Sequence, residues 1–179
     1  MSFSIRALRT IQPEEQITIA YCGILRSREQ RQKELLSKYS FKCACWSCSL
    51  PGPESARSDI RRSLLPIAIN NASSLRDDRS LKEWASDSSL PDDHIINHSL
   101  KIVGMMEEER LYEEEIWTVH YARLCKAYCA LGNRKAAIEW AKKGAVMMTA
   151  FTGNDGGWNK VVDAPERSEW WALRNKSVT

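Results

Sequence analysis

The chain has 179 residues, a net charge of +3 at pH 7, and 43% hydrophobic and 27% charged residues. That length suits one ordinary domain, or a small domain with part of another, and the composition is that of a globular chain. A charge this small does not imply nucleic acid without a basic patch, and no run approaches the roughly 18 apolar residues of a membrane helix.

The opening residues, Met-Ser-Phe-Ser-Ile-Arg, carry no apolar signal region. A reducing compartment, cytosol or nucleus, is therefore the expectation, and cysteines there serve as metal ligands or core residues. Residues 3–8 alternate, with Phe3, Ile5 and Ala7 on one side and Ser4, Arg6 and Leu8 on the other, which predicts a strand. Gln12-Pro13-Glu14-Glu15 predicts a turn, with proline fixing φ. Ile17-Thr18-Ile19-Ala20-Tyr21 is β-branched and predicts a second short strand. Two strands alone are marginal in water, so this pair lacks neighbours.

Ser27 to Lys38 predicts a helix, with Ser27 as N-cap, Glu29 early and Lys38 late, in agreement with the helix dipole. Residues 24–42 hold six Lys/Arg against two Glu. No aromatic interleaving supports a nucleic-acid role, so a solvated face is the simpler reading.

Three of the six cysteines follow within six residues, as Cys43-Ala-Cys45-Trp-Ser-Cys48. Three crowded thiolates repel one another unless a cation neutralises them. One tight turn presents all three to a single ion, and zinc in a structural site takes four such ligands in a tetrahedron. The cluster supplies three, so the fourth is expected from elsewhere. Cys22 is the nearest substitute in the chain. The alternative, buried or oxidised cysteines, would for a disulfide framework need a secretory context.

Glu14-Glu15-Gln16-Ile17-Thr18-Ile19-Ala20-Tyr21, then Arg28-x2-Arg31-Gln32-x2-Leu35, then Tyr39-x-Phe41-x-Cys43-x-Cys45-x2-Cys48 run in a fixed order. That order and spacing resembles the end of a SET domain running into its post-SET zinc motif, most of all in proteins of the SET-and-MYND type. The resemblance is specific over residues 5–48 and architectural beyond. It implies a protein-lysine methyltransferase scaffold that uses S-adenosylmethionine. It also implies that Tyr21 and Tyr39 line the channel for the substrate lysine, that Phe41 packs on the cofactor's adenine, and that Cys43, Cys45 and Cys48 bind zinc. The family's Asn-His-Ser-Cys segment, which binds cofactor and gives the fourth zinc ligand, does not occur here. Asn97-His98-Ser99-Leu100 is similar but ends in leucine and lies after the cysteines. The expectation is a C-terminal portion of such a protein, inactive by itself. The alternative is a non-catalytic interaction module, a zinc-stapled stub joined to a helical surface.

Pro51-Gly52-Pro53 predicts a boundary, dividing the chain into residues 1–50 and 51–179. Ala56 to Asn71 predicts a helix with Ile60, Leu64, Ile67 and Asn71 along one stripe. Residues 73–91 are polar, with a short helix expected around Leu81–Ala85. Asp92-Asp93 opens a helix carrying Ile95, Ile96, Leu100, Val103 and Met106. Residues 107–115 hold six acids and one arginine and predict an exposed run, or a face for the basic helix at 26–42. Tyr121-x2-Leu124-Cys125-x2-Tyr128, Leu131-Gly132-Asn133 and Ala136-Ala137-x3-Ala141-x2-Gly144 resemble one tetratricopeptide hairpin. Cys125 and Cys129 are expected in its core and His120 on a helix face. Residues 152–157 predict a flexible loop without the Gly-Lys-Ser/Thr of a phosphate loop. Pro165 to Leu173, with Trp170-Trp171, predicts an apolar cap or an exposed partner site. The fold class expected is α+β: a short β remnant with a zinc loop, then an all-α tetratricopeptide-like domain.

Overall fold

The computed structural model describes residues 5–17, 19–75 and 78–176. Its elements are α1 (Arg28–Tyr39), a 3-10 turn (Trp46–Cys48), α2 (Gly52–Leu75), α3 (Arg79–Ser86), α4 (His94–Glu108), α5 (Glu114–Ala130), α6 (Arg134–Thr152), α7 (Asn159–Asp163), a 3-10 turn (Pro165–Arg167) and α8 (Leu173–Lys176). The described residues contain no strand, so the β part of the expected α+β class is not formed. Ile5, Ile17 and Ile19 are 84%, 73% and 69% exposed. Their alternation is a local preference, and a ladder needs a neighbour for its N–H and C=O groups and a face on which to bury its side chains. Phe3, Ser4 and Thr18, also assigned to these strands, lie outside the described residues. The turn between them does form: Glu15 N–H donates to the Gln12 carbonyl at 3.1 Å, and Glu15 pairs with Arg9.

The core lies among α2 to α6 and the C-terminal residues. The predicted hairpin is α5 and α6. Gly132 takes a left-handed φ of 67° and ends the first helix, and the Asn133 side chain accepts the Ala136 N–H at 3.1 Å to start the second. Small residues let the helices approach: Ala127, Ala130, Ala137 and Ala141 are fully buried. At Gly144 even a Cβ would fall 2.6 Å from the Trp158 ring, so only glycine fits. Trp117, Tyr121 and Trp140 form an aromatic row with centroids 5.0 and 5.4 Å apart. Cys125 and Cys129 are buried as expected. Trp170 is also buried, and the Ala172 N–H donates to the Cys129 carbonyl at 2.9 Å. Arg174 then reaches back to the carbonyls of Trp84, Asp87 and Leu90 and to the Asp92 carboxylate, lying 4.6 Å from the Trp84 ring.

Three features go beyond what the sequence pattern specified. Ile60, Leu64 and Ile67 do share a stripe on α2, but it faces solvent, at 61%, 42% and 57% exposure. The inward face carries Ser58, Arg62 and Leu65 instead. Periodicity marks a face, and here the polar face was needed for a charge network. Asn71 lies outside the described side chains. Second, the acidic run is not uniformly exposed, since Glu109 is buried. Its Oε2 accepts from Ser58 Oγ at 2.6 Å and Arg62 Nε at 3.0 Å, and its Oε1 from Arg61 Nε at 2.6 Å. Its partners thus lie on α2 and not on the basic helix α1.

Third, His120 is fully buried, with neither ring nitrogen hydrogen-bonded and its centroid 6.0 Å from that of His98. Burial, then the charges of His98 and Arg123, pull its pKa down to about 3. His98 is lowered in the same sense, by burial first. The folded state therefore keeps His120 neutral while the unfolded chain takes up a proton below about pH 6.5. The stability from this site is complete above that pH and is lost as pH falls toward 3. At pH 5 the expected loss is about 2 kcal/mol from this residue. Denaturant melts at pH 7 and pH 5 check it, and His120→Leu should flatten the difference.

Candidate metal centre

The site is built around α1. Ser27 and Gln30 form a capping box: the Gln30 N–H donates to Ser27 Oγ at 3.3 Å, and the Ser27 N–H to Gln30 Oε1 at 3.1 Å. The helix ends at Ser40, which takes a left-handed φ of 56° and turns the chain back. Gln32 then holds the returning strand of chain by two bonds. Its Nε2 donates to the Cys43 carbonyl at 2.7 Å, and the Cys43 N–H donates to its Oε1 at 3.0 Å. The Cys48 and Ser49 N–H groups both donate to the Cys45 carbonyl at 3.0 Å, closing the 3-10 turn.

These two devices bring Cys43, Cys45 and Cys48 together, with all three sulfurs within 4.8 Å of one another. Zinc bound tetrahedrally at about 2.3 Å from each thiolate places sulfurs roughly 3.8 Å apart. The donor set is therefore of the right chemistry and needs only a small contraction to hold such an ion. Burial pushes the Cys45 thiol up, but the backbone N–H groups of Cys48 and Ser47 and the neighbouring thiols outweigh it, leaving the thiol below its ordinary value. Cys48 is pushed up to about 11, by burial first and then by the charge of Cys45, against a favourable contact with Arg31. A cation among the three would remove that mutual opposition.

Cys22 is half-buried, and its thiol is raised by burial and then by Glu34. It is not among the sulfurs that converge. His94, His98 and His120 sit on α4 and α5 and do not join the group.

The three aromatic residues of the motif also meet. Tyr21 and Tyr39 lie edge to face with centroids 5.5 Å apart, and Phe41 is 6.3 Å from Tyr21 and 6.5 Å from Tyr39. All three rings are exposed. One cavity, of about 560 Å³, lies instead against α5, lined by Asp78, Arg123 and Lys126 among others.

Three arginines support the loop. Arg31 Nη2 donates to Ser47 Oγ at 3.0 Å and lies 4.0 Å from Cys48 Sγ. Arg62 Nη2 donates to the same hydroxyl at 2.9 Å, and its Nη1 to the Ile24 carbonyl. Arg110 lies 4.6 Å from the Trp46 ring centroid. The arginine-rich spacing of α1 already contained Arg31. Arg62 is indistinguishable in sequence from its neighbour Arg61.

No family model matches the chain, and no solved structure matches it significantly. It is 34% identical over 71 residues to histone-lysine N-methyltransferase SMYD3 of Homo sapiens, covering 35% of this chain and 17% of that one. It is 27% identical over 155 residues to histone-lysine N-methyltransferase set5 of Schizosaccharomyces pombe, covering 85% and 44%. It is 37% identical over 49 residues to protein SET DOMAIN GROUP 41 of Arabidopsis thaliana, covering 27% and 9%. The match thus spans less than half the length of each of these relatives. By sequence the chain is thus similar to SET-domain lysine methyltransferases, in agreement with the resemblance carried by its motif order.

Proposed function

We propose that the chain is the C-terminal portion of a SET-domain protein-lysine methyltransferase and is inactive by itself. Residues 1–50 form the end of the SET domain with its zinc loop, and residues 51–179 a helical, tetratricopeptide-like domain. The observation that carries this reading is the meeting of the Tyr21–Tyr39–Phe41 rings beside α1 while the three cysteines converge at the loop that follows it. Tyr21 and Tyr39 would form part of the wall that orients the substrate lysine amine and excludes water. Phe41 would supply a stacking surface for the cofactor's adenine. Three exposed rings alone do not fit S-adenosylmethionine as a complete site, because they offer no buried polar group for its charged end. Cys43, Cys45 and Cys48 do fit zinc, which would hold the chain from Phe41 to Leu50 in one conformation. The proposed substrate is a protein, and the proposed location is nucleus or cytoplasm. No helix among the described residues is long and apolar enough to cross a membrane.

A second reading, a non-catalytic interaction module, is favoured by the solvent-facing stripe of Ile60, Leu64 and Ile67. The first of two experiments tests the inactivity and the second separates the readings. Calorimetric titration of the chain with S-adenosylmethionine is expected to show no binding in the micromolar range; such binding would overturn the inactivity. Adding the chain to a set5 truncated before its matched segment is expected to restore cofactor binding. A set5 fragment that stays inert, with the chain folded, favours the module.

A further inference from the structure

Arg31 presents an imbalance. Its side chain is buried, at 5% residue exposure, and among the described residues no carboxylate pairs with it. Its contacts are the Arg26 carbonyl, Ser47 Oγ and Cys48 Sγ. A buried guanidinium without an anion is strongly disfavoured. Three thiolates around one divalent ion carry a net charge of −1, and Arg31 sits beside one of those sulfurs.

A second arrangement leads away from the same turn. Ser47 Oγ accepts from Arg31 and from Arg62 together, at 3.0 and 2.9 Å. Arg62 in turn donates to Glu109 at 3.0 Å. The next residue, Arg110, covers Trp46. Trp46 and Ser47, the two residues between ligands Cys45 and Cys48, are therefore held by two consecutive residues at the end of α4, with one buried arginine from α2 between them.

We propose that Arg31 is the charge partner of a thiolate-bound divalent metal at Cys43, Cys45 and Cys48, and that Ser47–Arg62–Glu109 couples metal occupancy to docking of the loop on α2 and α4. The coupling is a matter of position. Drawing the three sulfurs onto an ion fixes the turn that carries Ser47, and a fixed hydroxyl orients both guanidinium groups. Arg62 so oriented is aligned for Glu109. Metal binding should accordingly tighten a junction far along the chain from the ligands. This inference rests on the three cysteines being a metal site, and the test keeps the two apart.

The full chain is titrated with zinc against a competing chromophoric chelator, and amide exchange is followed with and without zinc. Arg31→Met is expected to weaken zinc binding by about 10–100-fold, the usual effect of losing an outer-sphere partner. Arg31→Lys keeps the charge without the fork and should recover only part of it. Ser47→Ala, a small change that leaves the helices intact by circular dichroism, should weaken zinc several-fold. It should also abolish the zinc-induced protection expected over residues 58–65 and 105–112 in the unmodified chain. Unchanged affinity in both Arg31→Met and Ser47→Ala would overturn the proposal. So would zinc-induced protection confined to residues 39–50. Full recovery by lysine would overturn the role given to the forked contact of Arg31 with Ser47. An unmodified chain that binds no zinc would remove the metal site itself, and this inference with it.

Discussion

Glu109→Ala is expected to destabilise the chain by about 3–5 kcal/mol, the usual cost of removing one partner from a buried charge network. The carboxylate side chain has no exposed surface and accepts from Ser58, Arg61 and Arg62. Arg61 is partly exposed and can turn to water. Arg62 cannot, being 3% exposed. Burial and the nearby charge of Arg31 already disfavour the charge on Arg62, and Glu109 is among the groups that offset them. Urea denaturation of the two proteins measures the loss. Glu108→Ala is the control: its side chain is 63% exposed, so a change within about 0.5 kcal/mol is expected. Replacing Glu109 and Arg62 together by leucine and methionine should recover much of the stability, since the network as a whole also carries a large desolvation cost. A double variant as unstable as Glu109→Ala would show that the hydroxyl and carbonyl partners of Arg62 matter more than its charge.

The second large effect concerns zinc. Three converging thiolates leave one of four tetrahedral positions open, so binding should fall well below the roughly 10–16 kcal/mol of complete zinc-finger sites. Protein purified in zinc is expected to carry less than one ion per chain and to yield it to a strong chelator. Stripping the metal should release residues 39–50 from protection against amide exchange. The α5–α6 hairpin, whose core of small residues and aromatic rings is separate, should keep its protection. Cys45→Ser should remove the bound zinc altogether, as read by metal analysis. One-to-one zinc that resists the chelator would mean that another residue of this chain completes the tetrahedron, and Cys22→Ser would then be the next variant to measure.

What was legible in the sequence was local. The Ser27 cap of α1, the turn at residues 12–15, the hairpin with Gly132 between its helices and the tight cysteine spacing each depend on neighbours a few residues apart, and each is present. The strands failed for the converse reason: their residues prefer extended backbone, but no described segment lies alongside to receive the hydrogen bonds. The direction of α2 was not legible either, because Ile60, Leu64 and Ile67 give a period without saying which face meets the core. Glu109 stands in a run of three glutamates, and only the position of Arg62, 47 residues earlier, distinguishes it from the other two. His120 looks like any polar residue on a helix, until α4 closes over it.

Arg174 has a consequence for how the molecule assembles. Its bonds to the carbonyl of Trp84 and the carboxylate of Asp92 close loops of 90 and 82 residues. The α5–α6 hairpin, by contrast, closes over a three-residue turn. Closing a long loop costs more chain entropy than closing a short one, though the cost grows only with the logarithm of length, and folding dominated by distant contacts is slow. On a ribosome the hairpin can form as it emerges, whereas the segment from Trp84 to Asp92 must wait for Arg174 before the guanidinium joins its carbonyls and the Asp92 carboxylate. Until then Trp84 lacks its guanidinium cover, and a nascent chain halted before residue 170 would expose that indole to whatever chaperone or neighbour meets it first.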